Sequence, residues 1–186
     1  MTAVRAASPL LTKLLHGLLL VAYALALALA SPPAWALSSP LQGRVVAVAD
    51  GDTVTVLDAQ QRRHRVRLLG IDAPERAQSW GAESGAYLKG KVLQQEVQVV
   101  FAKTDRHGRL VGTLRWQGQD VNLQLLRAGL AWHYKAYAIE QNWLQRWRYA
   151  RAERRAQGEQ IGLWSDPAPL PPWAYRQQQR DQRPQR

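Results

Sequence analysis

Two short acidic turns hold the residues of this chain best suited to chemistry. One is Asp50-Gly51-Asp52-Thr53 and the other is Ile71-Asp72-Ala73-Pro74-Glu75. Carboxylates are hard oxygen donors, and a pair brought together from two turns suits a divalent cation that takes oxygen ligands. The stretch between the turns alternates as a strand pair does and carries arginines, among them Arg67. A guanidinium fork beside such a pair matches the oxygens of a phosphate. The candidate is therefore a hard-metal and phosphate site. Taken alone, the first turn has a plainer reading, because glycine and aspartate are what a tight β-turn requires. A further ionisable cluster, Asp105-Arg106-His107-Gly108-Arg109, reads equally as a solvated hairpin, with Gly108 suited to a positive φ.

The elements that must position these residues follow from periodicity. Gly43 to Ala49 reads as a first strand, Val54 and Val56 alternate in a second, and His64 to Leu69 returns after a loop at Asp58 to Gln61. Ala82, Ala86, Val92 and Leu93 then predict a helix whose other face is Glu83, Lys89 and Lys91, with Gly85 and Gly90 weakening its regularity. Strands are expected over Glu96 to Lys103 and Leu110 to Trp116. Asp120-Val121-Asn122 is an N-cap region for a helix that places Val121, Leu125 and Leu126 on one face and ends at Gly129. The longest periodic stretch has an apolar stripe of Ile139, Trp143, Leu144, Trp147 and Ala150, with arginines on the remainder. It predicts a helix packed on the rest through that stripe, a membrane-surface helix being the alternative. Gly162-Leu163-Trp164 closes the domain, and the proline-, arginine- and glutamine-rich tail over residues 166–186 reads as extended or disordered.

The fold class expected is mainly β with packed α-helices. Five strands, the first three a meander, fit a small OB-type barrel, with one helix between strands three and four and two at the end.

Composition narrows the partners. The chain has 186 residues and a formal charge of +11, which favours a polyanion such as nucleic acid, an anionic membrane face or an acidic polysaccharide. Residues 1–36 combine Arg5, Lys13 and His16, an apolar run from Leu18 to Ala30, and Ala34-Trp35-Ala36. That is the pattern of a signal peptide cut after Ala36, so the protein is expected to be exported, periplasmic or extracellular. An uncleaved N-terminal anchor is the alternative. Without residues 1–36 the chain keeps 23 basic and 14 acidic residues, or +9, so the basic surface belongs to the mature part, a domain spanning residues 37–165 and the tail after it. There is no cysteine, which excludes disulfides, thiolate metal sites and a cysteine nucleophile.

Five signals together resemble the thermonuclease, or staphylococcal nuclease-like, family. They are DGDT, the run Arg67 to Glu75, the run Asp105 to Arg109, the segment Arg127-Ala128-Gly129-Leu130-Ala131-Trp132, and Gly162-Leu163-Trp164. They lie in the family's order over roughly Gly43 to Asp166. The resemblance implies an OB-type barrel and a calcium-dependent phosphodiesterase, secreted or in the envelope, that acts on DNA and RNA.

Carried over by position, the resemblance makes Asp52 and Asp72 the Ca2+ carboxylates, with the Ala73 carbonyl where a threonine usually stands. It makes Glu75 the residue that orients or deprotonates the attacking water, and Arg67 and Arg109 the clamp on the scissile phosphate. Asp50 and Asp105 read as structural, closing turns or holding an arginine. Tyr137 resembles an aromatic bordering the nucleotide pocket, and Lys135 replaces the family's other tyrosine, adding a cation for the backbone. Lys103, Arg106 and His107 are placed along the approach of a strand, while Trp132 and Tyr134 read either as base-stacking residues or as packing. Single-stranded or locally unpaired nucleic acid, a monomer and no stable membrane insertion after signal cleavage complete the expectation. A noncatalytic OB-fold nucleic-acid-binding protein, an envelope structural protein and a membrane-surface protein are the other readings.

Overall fold

The computed structural model describes residues 40–182, so the expected signal segment lies outside the described residues. In chain order the strands are β1 (Leu41–Asp50), β2 (Thr53–Leu57), β3 (Arg63–Leu68), β4 (Ile71–Asp72), β5 (Glu96–Thr104), β6 (Leu110–Trp116), β7 (Gln119–Asp120) and β8 (Trp132–His133). The helices are α1 (Gly81–Val92), α2 (Val121–Arg127), α3 (Trp143–Gly158) and α4 (Pro172–Asp181), with 3-10 turns at Lys135–Glu140 and Gly162–Ser165.

The five long strands make the expected closed barrel. Their order is β3-β2-β1-β5-β6, with antiparallel neighbours. A parallel pairing of β3 with β6, in the register Arg67 to Val111, closes it. Closure leaves no long unpaired edge. Strand β1 serves both β2 and β5 because it bends at two irregularities, between Val45 and Ala47 and between Val48 and Asp50. The two-residue strands β4, β7 and β8 add to the five expected strands.

Alternation fills the interior. Val45, Val54, Val56, Val66, Leu68, Val97, Val99 and Leu114 are buried from successive strands, each at about 1.5–3 kcal/mol for an apolar side chain removed from water. Leu88 and Val92 of α1 and Val121, Leu125 and Leu126 of α2 belong to the same core. Helix α1 runs unbroken through Gly85 and Gly90, since docking of Leu88, Val92 and the buried Ser84 outweighs the glycines' low propensity. Asp120 caps α2 by accepting the Leu123 N–H at 2.9 Å, and Gly129 ends that segment at φ 62°, both as expected. Buried Asn122 accepts the Leu114 N–H and donates to the carbonyls of Leu69 and Gly112, tying α2 to the segment just before β4.

Two expectations about the C-terminal half are corrected. Helix α3 forms, but it does not pack through its apolar stripe. Ile139, which precedes it, is 87 % exposed and Trp143 is 77 % exposed, and Leu144 and Trp147 also face solvent. The buried face is Tyr149, Ala152, Glu153 and Ala156. Small alanines let α3 approach closely, and Glu153 is satisfied there by the His133 N–H at 2.9 Å and by Lys135. The tail is not extended throughout, because residues 172–181 form α4. Among the described residues, no helix is long and apolar enough to cross a membrane.

Candidate functional site

The two acidic turns meet through backbone hydrogen bonds. In the β1–β2 turn, Asp50 Oδ1 accepts the Asp52 N–H at 3.1 Å, a turn-closing role. Asp52 Oδ2 accepts the Ala73 N–H at 2.8 Å, and the Leu68 N–H donates to the Asp52 carbonyl at 2.8 Å. Asp72 lies in β4, opposite Trp132 of β8. Both carboxylates are buried, Asp72 at 1 % and Asp52 at 6 % exposure. Gly51 is required by this closeness. A Cβ there would stand 2.0 Å from Ser84 Oγ and 2.7 Å from Ala73 Cβ.

Arg67 enters from β3, held in register between Thr53 of β2 and Val111 of β6. Its Nη2 donates to Asp72 Oδ1 at 2.6 Å. Its Nη1 abuts Asp52 Oδ2 as an ion pair without hydrogen-bond geometry and has no hydrogen-bond partner. Burial pulls the guanidinium pKa below its ordinary value, the charge of Asp72 opposes that, and the nearby charge of Arg109 reinforces it. The two arginines are thus electrostatic neighbours although they lie in separate segments.

Arg109 stands just before β6 and is fixed by its own loop. Asp105 Oδ1 accepts the N–H groups of His107 and Arg109 at 2.9 Å, and Oδ2 accepts Arg109 Nε at 2.8 Å. Burial pushes the Asp105 carboxyl up, but these hydrogen bonds outweigh it and hold the pKa at about 2. Glu75 follows β4 with its side chain 40 % exposed. Its carbonyl accepts the Gln78 N–H at 2.8 Å, and a Cβ on Gly81 would lie 1.9 Å from that same oxygen. Glycine at the start of α1 therefore lets the Glu75 turn close.

Asp52, Arg67, Asp72, Ala73, Glu75 and Arg109 all line one cleft of about 790 Å³. Lys103, Arg106, His107, Tyr134 and Tyr137 border it too. Lys103 pairs with Glu140 and lies 5.5 Å from the Tyr137 ring centroid. Exposed Arg106 donates from Nε to His107 Nε2 at 3.2 Å. Lys135 does not border the cleft; its exposed side chain places Nζ 2.8 Å from the buried carboxylate of Glu153. Trp132 packs edge-on against Trp164 with centroids 4.2 Å apart, whereas Tyr134 faces the cleft.

A family profile described as staphylococcal nuclease homologue matches residues 65–166. The chain belongs to that family. It is 37% identical over 180 residues to Protein ParB of Escherichia coli, covering 90% of this chain and 96% of that protein. It is 37% identical over 137 residues to an uncharacterized endonuclease of Haemophilus influenzae, covering 74% of each chain. A micrococcal nuclease of Shigella flexneri is 37% identical over 155 residues, with 78% of this chain and 84% of that protein covered.

The family implies a cation, and the donors here suit a hard one. Among the described residues no group of three or more histidine, cysteine, aspartate or glutamate side chains converges as a metal cluster. The Asp52 and Asp72 carboxylates that line the cleft are hard oxygen donors, of the kind a divalent cation takes together with water. The two buried carboxylates already attract positive charge, since guanidinium groups sit against both.

One of those guanidiniums belongs to a residue that sequence reasoning missed. Arg176 of α4 lies against Asp72 and Glu75, and both Arg176 and Arg180 border the cleft. The signal available was Pro171-Pro172-Trp173 followed by helix-forming residues, because proline is favoured at the first helical position.

Proposed function

We propose that the chain is a metal-dependent nuclease that uses Ca2+ to hydrolyse internal phosphodiester bonds in DNA and RNA, with single-stranded or locally unpaired stretches preferred. The observation that carries this reading is the convergence of Asp52, Arg67, Asp72, Glu75 and Arg109 on one cleft. Relatives described as endonucleases and as a micrococcal nuclease support it. The basic surface, +9 once residues 1–36 are removed, suits a polyanionic substrate. The amino-terminal pattern supports export to the periplasm or beyond, with the protein acting as a monomer.

Asp52, Asp72 and the Ala73 carbonyl would hold the cation. When bound, it supplies charge stabilisation at the phosphate and acidifies water in its shell. Glu75, half-exposed at the cleft, accepts a hydrogen bond from the attacking water and so orients it toward phosphorus. As that water adds to phosphorus, it loses a proton to solvent and the bond from phosphorus to one ester oxygen breaks. The departing alkoxide takes up a proton from solvent, while negative charge grows on the non-bridging oxygens. The Arg67 guanidinium, which lines the cleft between the two carboxylates, is placed to donate to one of these oxygens. Arg109 keeps its fork aimed because Asp105 holds Nε, leaving its terminal nitrogens for another. Lysine at either position would supply charge without the fork.

The test uses protein from Leu37 onward with single- and double-stranded DNA and with RNA, in calcium, in magnesium or in chelator, beside Glu75→Gln. Cutting that needs the cation and collapses in the variant is expected. Unchanged cutting in chelator or in Glu75→Gln would overturn the mechanism, and binding without cutting under every condition would make the chain a noncatalytic binding module.

A further inference from the structure

Helix α4 lies over the mouth of the cleft and reaches into it at several points. Arg176 Nη2 donates to Asp72 Oδ2 at 2.8 Å, and Nη1 donates to Glu75 Oε1 at 2.8 Å and to Asp72 Oδ1 at 3.3 Å. Three residues earlier, Trp173 stacks on Tyr134 with centroids 5.6 Å apart and 16° between planes. It also meets Trp132 edge-on at 5.5 Å. Gln78, in the loop after Glu75, donates to the Leu170 carbonyl. Pro172, at the start of the helix, is buried. These contacts join the C-terminal segment to β4, β8 and the Glu75 loop, the elements that build the site.

Arg176 occupies the same oxygens that the proposed chemistry needs. With Arg67 on Oδ1, both oxygens of Asp72 are taken by guanidinium groups, and Glu75 is taken by Arg176. A cation ligated by Asp72 would face the like charge of Arg176 at contact distance. The nucleic-acid route is also narrowed, because Trp173 covers the Tyr134 face and Arg180 borders the same cleft. As a guanidinium, Arg176 stays charged throughout.

We propose that α4 is an autoinhibitory latch, in which Arg176 substitutes for the divalent cation on Asp72 and Glu75 and Trp173 seals the aromatic wall of the cleft. Calcium and Arg176 compete for one carboxylate, so each weakens the other by the same factor. At low cation the latch is closed and Arg176 holds the carboxylates of the cleft. As calcium rises, Arg176 leaves Asp72, Trp173 lifts from Tyr134, and the cleft opens to a strand. This rests on the reading of Asp72 as a cation ligand. It goes beyond that reading by giving the tail a role, namely to make the site respond to the divalent cation level.

The test needs no turnover. Calcium is titrated calorimetrically into protein from Leu37 to Arg186, as the unaltered chain and as Arg176→Ala and Arg180→Ala. Arg176→Ala should bind calcium at least about tenfold tighter, the factor that a single charge-assisted hydrogen bond removed from the competitor already supplies. Arg180→Ala removes the same charge from the same cleft without touching the acids, and should change affinity no more than about twofold, as expected for an exposed charge. Amide exchange over residues 171–182 should be slow in chelator and fast in calcium for the unaltered chain. Equal calcium affinity in Arg176→Ala and Arg180→Ala, or an α4 equally protected with and without calcium, overturns the latch while leaving the cation site standing. No calcium binding by any of the three proteins overturns the cation reading and the latch with it.

Discussion

Asp105→Ala tests whether this carboxylate acts through Arg109, the proposed phosphate clamp, or merely closes a loop. Its carboxylate accepts two backbone N–H groups at 2.9 Å and Arg109 Nε at 2.8 Å. The loop is partly exposed, so water replaces some of these partners and the expected loss of stability is about 1–2 kcal/mol. The larger effect is on Arg109, whose fork loses the bond that fixes its direction. Removing a transition-state donor outright costs about 10²–10³ in rate, so Arg109→Ala sets the floor and Asp105→Ala should lose roughly tenfold in kcat/KM. The assay is a double-mutant cycle on cleavage of a single-stranded oligonucleotide. Asp105→Ala added to Arg109→Ala should cost nothing further. If the two losses multiply instead, Asp105 does not act through Arg109. The acid limb gives a second check. The folded pKa of about 2 lies below the ordinary 3.8, so the stabilisation from Asp105 is full above about pH 4 and lost as pH falls toward about 2. Asp105→Ala should lack that part of the acid transition.

Other perturbations follow from the packing. Gly51→Ala puts a methyl 2.0 Å from Ser84 Oγ and should cost about 1–3 kcal/mol in a urea titration, with a matching loss of activity as the Asp52 turn shifts from Ala73. Trp143→Ser should leave stability within about 0.5 kcal/mol, as for other exposed positions, whereas Ala152→Leu, on the buried face of the same helix, should cost about 1–3 kcal/mol. The reverse ranking by thermal melting would restore the apolar stripe as the packing face. Lys135→Ala should leave KM for a single-stranded oligonucleotide and the salt slope of binding unchanged, and a slope reduced by about one phosphate contact would return Lys135 to the nucleic-acid interface.

What was legible in the sequence follows the range of the forces involved. The hairpin between the two acidic turns shows in the alternation of residues 63–68 and in turn residues at both ends, all local signals. The barrel then brings Arg109 beside Arg67 through the parallel β3–β6 register. Helix α3 was misread for a physical reason. Counting apolar residues favours Trp143 and Trp147, but docking favours Ala152 and Ala156, small enough for close approach, with Glu153 made acceptable by the His133 N–H and Lys135. Those partners lie in a segment well before the helix, so no local pattern reveals them. The tail's composition is that of an unfolded segment, and α4 gains its fold from long-range contacts: Trp173 on Tyr134 and Trp132, and Arg176 on Asp72 and Glu75.

Trp143 and Trp147 carry apolar area with Arg151 5.6 Å from the Trp147 ring, a cation–π contact on the solvent face. The aromatic residues that matter to the cleft are instead Tyr134 and Tyr137, 5.0 Å apart, with Trp173 laid over the former.

That Asp52 and Asp72 hold a cation on which phosphodiester cleavage depends is the proposal with the widest consequences. Its most direct test is the cleavage rate of a labelled single-stranded oligonucleotide as free calcium is raised from a chelated baseline, in the unaltered chain and in Asp72→Asn. Cleavage should be absent at the baseline, rise and saturate with calcium in the unaltered chain, and stay near the baseline throughout in the variant. Cleavage in chelator, or an unchanged calcium response in Asp72→Asn, would contradict it.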